Sequence, residues 1–194
     1  MSGLRIGVLV SGSGSNLQSI IDAVEAGNLH SEIVCALSNK EAAYGLERAR
    51  KHGIPAYFIN PKEADYDEKV LNCLQNHGVD LVVLAGYLKI VDPKMIEAYK
   101  GKIINIHPSL LPKFGGKGYY GIKVHEAVLK AGETESGATV HFVDTGIDTG
   151  ETIMQSKVPV YETDSADDLQ QRVLHEVEHK ILVKAIKKLE EEKA

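Results

Sequence analysis

The sequence contains no tryptophan, three phenylalanines, two cysteines and no excess of basic charge, and each scarcity removes a class of protein. With 22 Lys and Arg against 27 Asp and Glu, the formal net charge is −5. That balance provides no general surface for nucleic acid or an anionic membrane, so any phosphate must be held by a local device. Cys35 and Cys73 stand in apolar or helical contexts without metal-ligand spacing, which fits two core thiols in a reducing cytosol rather than a disulfide framework. No apolar run approaches the ~18 residues of a membrane span, and Ile6 to Val10 leads into Gly and Ser without a signal-peptide pattern. A cytoplasmic protein is expected, with neither membrane nor nucleic acid among its partners. What is present is 43% hydrophobic residues in a chain of 194, enough for one well-formed core. A single domain over 1–194 is the expectation.

The most informative stretch is Lys102-Ile103-Ile104-Asn105-Ile106-His107-Pro108-Ser109-Leu110-Leu111-Pro112. Its β-branched apolar run reads as a buried strand, and Asn105 and His107, two residues apart, point to the same side of it. Pro108 cannot donate to a sheet ladder and disfavours helical geometry at His107, so the polar pair sits where the strand opens into a loop. Alone, the Asn reads as a turn former and the His as a structural residue. Together they are a plausible catalytic pair, the amide donating to a developing oxyanion and the imidazole shuttling a proton near neutrality.

Around this stretch, strands alternate with helices. Leu4 to Val10, Ile33 to Leu37, Ala56 to Ile59 and Asp80 to Gly86 read as strands, with helices from Leu17, over Tyr44 to His52 and over Tyr66 to Asn76. The pattern predicts a doubly wound α/β sheet, whose ligands bind beyond the carboxyl ends of the strands. Ser11-Gly12-Ser13-Gly14-Ser15-Asn16, between the first strand and its helix, is either a tight turn or a small-phosphate cradle. Leu17 stands where a dinucleotide fingerprint has its last glycine, and no Gly-Lys-Ser/Thr follows. Pro112 to Gly121 is a glycine-rich segment, either a flap over the sheet edge or an ordinary surface loop. After a helix over Ile122 to Lys130 and a strand over Ala138 to Val143, Asp144-Thr145-Gly146-Ile147-Asp148-Thr149-Gly150 is a turn, or a carboxylate that favours a charged imidazole nearby. Thr152 to Val158 is a further strand. Ser165-x-x-Asp168 opens a last helix whose stripe is Leu169, Val173, Val177, Ile181, Ala185 and Leu189, with Glu178 on its flank. His175 to His179 formally spells H-E-x-x-H, but no third ligand follows and Val177 and Ile181 commit that side to the core, so no metal site is expected.

Ser11 to Gln18, Ala85-Gly86-Tyr87, Asn105 to Pro112, and His141-Phe142-Val143 through Asp148-x-Gly150 stand in the order and spacing of the phosphoribosylglycinamide formyltransferase family, which the chain resembles over nearly its whole length. The resemblance implies a Rossmann-like formyltransferase fold with antiparallel C-terminal strands and a long C-terminal helix. It implies transfer of a formyl group from 10-formyltetrahydrofolate to the amine of glycinamide ribonucleotide in de novo purine biosynthesis, by a metal-free monomer or homodimer. By that likeness Gly14, Ser15 and Asn16 hold the substrate phosphate and Glu178 contacts the ribonucleotide. Leu88, Lys89, Ile90 and Val91 line the folate pocket. His107 is the acid/base, Asn105 holds the formyl oxygen, and Asp148 sustains the imidazolium and organises a water. Lys62, which the likeness adds to the folate-binding residues, and Lys89 stand where arginines are common, and neither offers a bidentate contact. Glu151 replaces a usual proline, and Leu182-Val183 a usual Tyr-Pro, which predicts a straighter last helix.

Two related enzymes differ in their expected extensions. A formyltetrahydrofolate hydrolase carries a regulatory domain before the first strand and a methionyl-tRNA formyltransferase a basic domain after the catalytic one, whereas these 194 residues run from a first strand to a last helix. A non-catalytic nucleotide-binding module is the alternative from another class, and it predicts phosphate binding without turnover.

Overall fold

The structure, a computed structural model, describes residues 3–193. In chain order the elements are β1 Arg5–Val10, α1 Ser15–Glu25, β2 Glu32–Ser38, α2 Tyr44–Lys51, β3 Ala56–Phe58, α3 Tyr66–Asn76, β4 Leu81–Leu84, α4 Pro93–Ala98, β5 Ile103–His107, α5 Ile122–Lys130, β6 Glu135–Phe142, β7 Thr152–Pro159, α6 Ala166–Val173 and α7 His179–Lys193. The seven strands form one sheet ordered β3-β2-β1-β4-β5-β6-β7. Pairing is parallel from β3 through β5 and antiparallel for β6 and β7. This is the doubly wound α/β sheet that the sequence pattern predicts, with the antiparallel C-terminal strands that the resemblance implies.

Helices cover both faces. α1, α5, α6 and α7 pack with Ile6, Val8, Val83, Ile104 and Ile106 into one apolar cluster, and α3 and α4 pack with Leu9, Val82, Leu84 and Ile103 into another. Strand side chains alternate, so β5 sends Ile104 and Ile106 into the first cluster and turns Asn105 and His107 to the opposite face, at the carboxyl edge. A one-residue slip of β5 would drive the polar pair into the first apolar cluster and take Ile104 and Ile106 out of it, which fixes the register that builds the site.

The last helix departs from the expected regular, straight one. Between α6 and α7 the backbone widens to a π turn over Leu174–Glu178. Leu169, Val173, Val177, Ile181 and Ala185 recur strictly every four residues and are all buried. In a regular α-helix each such step overshoots a revolution by about 40°, so the stripe would wind away from the sheet. The wider turn resets its phase, and each buried Leu, Ile or Val of the stripe contributes roughly 1.5–3 kcal/mol. Ser165 and Asp168 close the start of α6 as a reciprocal capping box.

Candidate active site

The carboxyl ends of β1, β4 and β5 meet at one edge, where they border a cavity of about 630 Å³, within the size range of small-molecule sites. One end of it is the loop between β1 and α1. Gly14 takes φ +71°, and an added Cβ would stand 2.4 Å from Gly45 Cα, so only glycine fits this approach. No side chain caps the start of α1, and its first N–H groups are left for an anion, aided by the helix dipole.

In the middle of the cleft, side chains from three segments and main-chain groups from a fourth come together. His107 Nε2 donates to the Phe114 carbonyl at 2.8 Å, and its Nδ1 lies 3.5 Å from Asp148 Oδ2. The ring is thus held by one hydrogen bond, through Nε2, while Nδ1 faces the Asp148 carboxylate. Asp148 also reaches His141, whose Nε2 lies 3.7 Å from Oδ1. That nitrogen accepts from Asn105 Nδ2 at 3.1 Å while His141 Nδ1 donates to the Phe142 carbonyl at 2.8 Å. Burial pushes the His141 pKa down, which suits this neutral tautomer. The amide of Asn105 is thereby oriented by its antiparallel neighbour in the sheet, since Asn105 and His141 pair directly across β5 and β6.

Asp148 itself sits at φ +58°, a left-handed conformation that Asp tolerates better than most residues. Gly116 N donates to its Oδ2 at 2.9 Å. The other aspartate of the turn is structural. Asp144 accepts from Gly146 N at 3.0 Å and from Thr149 Oγ1 at 2.6 Å, shaping the loop that presents Asp148. Of the two acids in the Asp-Gly cluster, Asp144 shapes the turn and Asp148 stands beside the imidazoles of His107 and His141.

At the opposite end Leu88, Lys89, Ile90 and Val91 form an apolar rim, with Ile90 72% exposed. Lys89 lies over the Tyr66 ring at 4.6 Å and 3.4 Å from Asp67 Oδ1, a single contact without the planar fork of an arginine.

The sequence model of the Formyl transferase family matches residues 4–186. The chain belongs to the formyl transferase family. It is 45% identical over 194 residues to the chloroplastic phosphoribosylglycinamide formyltransferase of Vigna unguiculata, a match covering 97% of this chain and 62% of that protein. It is 43% identical over 187 residues to the phosphoribosylglycinamide formyltransferase of Haemophilus influenzae, covering 94% and 85%. The crystal structure of glycinamide ribonucleotide transformylase 1 from Symbiobacterium toebii superposes with a TM-score of 0.92 at 42% identity, over 98% of this chain and 89% of that one.

Of the residues singled out in this formyl transferase, Gly14, Ser15, Asn16, Leu88, Lys89, Ile90, Val91, Asn105, His107, Asp148 and Glu178 all border the one cleft. Lys62 does not. It is an exposed residue of the loop after β3, its N–H donating to the Asn60 side chain at 3.1 Å, and it lies outside the cavity. The glycine-rich segment, which the sequence left as flap or surface loop, supplies two groups to the centre, the Phe114 carbonyl and the Gly116 N–H. His125, on α5, also borders the cleft, and burial with nearby His107 pushes its pKa down to about 4.

Glu178 emerges from the π turn into the cleft and accepts from Asn16 Nδ2 at 2.8 Å. Burial pushes its pKa up to about 7 from an ordinary 4.5, outweighing that hydrogen bond. The folded protein then keeps a proton that the unfolded chain loses, so stability falls as pH rises from about 4.5 to about 7, by on the order of 3 kcal/mol. Urea unfolding across this range is expected to show the decline in the parent protein and a flatter profile in Glu178→Gln. An equal slope in both would assign the dependence to other groups.

Proposed function

We propose that the chain transfers the formyl group of 10-formyltetrahydrofolate to the primary amine of glycinamide ribonucleotide, releasing formylglycinamide ribonucleotide and tetrahydrofolate in de novo purine biosynthesis. The observation that carries this reading is the meeting of Asn105, His107 and Asp148 in the same cleft as an uncapped helix start. In this reading the N–H groups of Gly14, Ser15 and Asn16 hold the ribonucleotide phosphate and Glu178 faces its sugar and amide portion. The folate lies along Leu88 to Val91. Attack of the amine nitrogen on the formyl carbon forms a C–N bond and moves the carbonyl electron pair onto oxygen. The Asn105 N–H not given to His141, and His107 Nδ1, which makes no hydrogen bond to Asp148, donate to that oxyanion. Collapse breaks the bond from carbon to N10 of the folate, and the proton lost by the amine reaches N10 by way of His107 or a water held by Asp148.

The test is steady-state turnover with both substrates. Tetrahydrofolate is expected to appear only when glycinamide ribonucleotide is present, in equal amount to the formylated product. Donor consumption at the same rate without acceptor would make the protein a hydrolase, and phosphate binding without turnover would make it a binding module.

A further inference from the structure

We infer that Arg48, on α2, is a positioning residue that sets the preference for a phosphorylated acceptor, an inference resting on the reading of the loop after β1 as the phosphate cradle. Three carbonyls of that loop are tied away from the cleft. Gly12 O accepts from Gly45 N at 3.0 Å and Gly14 O from Gln18 N at 2.9 Å. Ser13 O accepts from Arg48 Nε at 2.7 Å. With its carbonyls pulled backward, a loop of this kind presents its N–H groups forward as an anion-binding concavity. Arg48 is therefore one of the clamps that aim the donors.

Its charge is held in place as well. The guanidinium lies over the Tyr44 ring at 4.9 Å, and Nη1 donates to Gln18 Oε1 at 3.3 Å. The stem of the side chain passes 3.4 Å from where a Cβ of Gly14 would stand, directly behind the loop. Among the described residues Arg48 has no carboxylate partner, whereas its neighbour Arg50 pairs with Glu47 at 3.8 Å. The lysines that border the cleft are Lys89 and Lys117, and Lys89 is engaged with Asp67 and Tyr66 at the other end. A fixed, uncompensated cation behind an array of N–H donors favours a dianion over a neutral hydroxyl. A separate sign of an absent ligand stands beside the loop: Asn16 is 7% exposed, borders the cleft, and its Oδ1 has no partner, an acceptor that calls for a hydroxyl or N–H of the same acceptor molecule rather than for its phosphate.

The experiment compares glycinamide ribonucleotide with its phosphate-free ribonucleoside as acceptors, and uses inorganic phosphate as a competitive probe. Arg48→Met is expected to raise KM for the phosphorylated acceptor and the inhibition constant of phosphate together by about tenfold. The kcat, the KM for the folate and the kcat/KM for the ribonucleoside stay as in the parent. Arg48→Lys, which keeps the charge without the fork, recovers part of the loss, and melting temperatures of both variants record any change in folding. Equal losses for both acceptors, or unchanged discrimination in Arg48→Met, would overturn the role of Arg48. A parent enzyme that fails to distinguish the two acceptors and ignores phosphate would overturn the cradle reading itself.

Discussion

His107→Ala is expected to lower kcat for formyl transfer by about 10³-fold and leave KM for either substrate within a few-fold. The size follows from what the ring does in the proposed reaction: it donates to the oxyanion and passes a proton, both demands that arise only in the transition state. The substitution is not expected to unfold the chain. The loop that carries the Phe114 carbonyl keeps another anchor, because Ser109 Oγ donates to Lys113 O at 2.7 Å and reaches Phe114 O at 3.4 Å. His107→Gln retains a donor for that carbonyl but no titratable ring. A similar collapse of kcat in both variants would locate the effect in chemistry rather than in loop placement.

Asp148→Asn is expected to cost about 10²–10³ in kcat, measured with both substrates saturating. Asn accepts the left-handed backbone that Asp148 adopts, and its Oδ1 can still receive the Gly116 N–H, so the change removes charge with little change of shape. What is lost is the negative charge facing His107 Nδ1 at 3.5 Å. Because the carboxylate acts through the ring, the double variant His107→Ala/Asp148→Asn is expected to be little worse than His107→Ala alone. Multiplicative losses would mean that Asp148 works independently, for example through a water.

Much of this was visible in the residue order, for reasons that can be named. Asn105 and His107 were legible because a strand repeats every two residues and a proline marks its end. The cleft followed from the rule that parallel strands bind ligands at their carboxyl ends, which placed Gly14 to Asn16, Leu88 to Val91 and His107 on one edge. The approach of Asp148 to His107 was expected from the resemblance and not from local spacing, since it depends on the antiparallel pairing of β5 with β6, a long-range register. The same register makes His141 the partner of Asn105. Phe114 and Gly116 escaped because they contribute main-chain groups, for which side-chain identity carries no signal. The six-residue α4 is too short for a helical period to show, although Asp92-Pro93 is a start signal and the Asp92 side chain does accept from Lys94 N at 2.8 Å. The π turn was not expected: the apolar stripe is compatible with an ordinary helix, and the loss of the usual Tyr-Pro at Leu182-Val183 points to a straighter one. Lys62 was placed in the site by likeness alone, and the cleft stops short of it.

The most direct measurement is a crystal structure with glycinamide ribonucleotide and a folate whose formyl group is replaced by a carbon that cannot be transferred. The phosphate is expected on the N–H groups of Gly14, Ser15 and Asn16, with the acceptor amine facing that carbon between Asn105 and His107. Density showing the phosphate away from this loop, or the amine on the far side of the folate from His107, would contradict a single cleft that joins anion binding to formyl transfer.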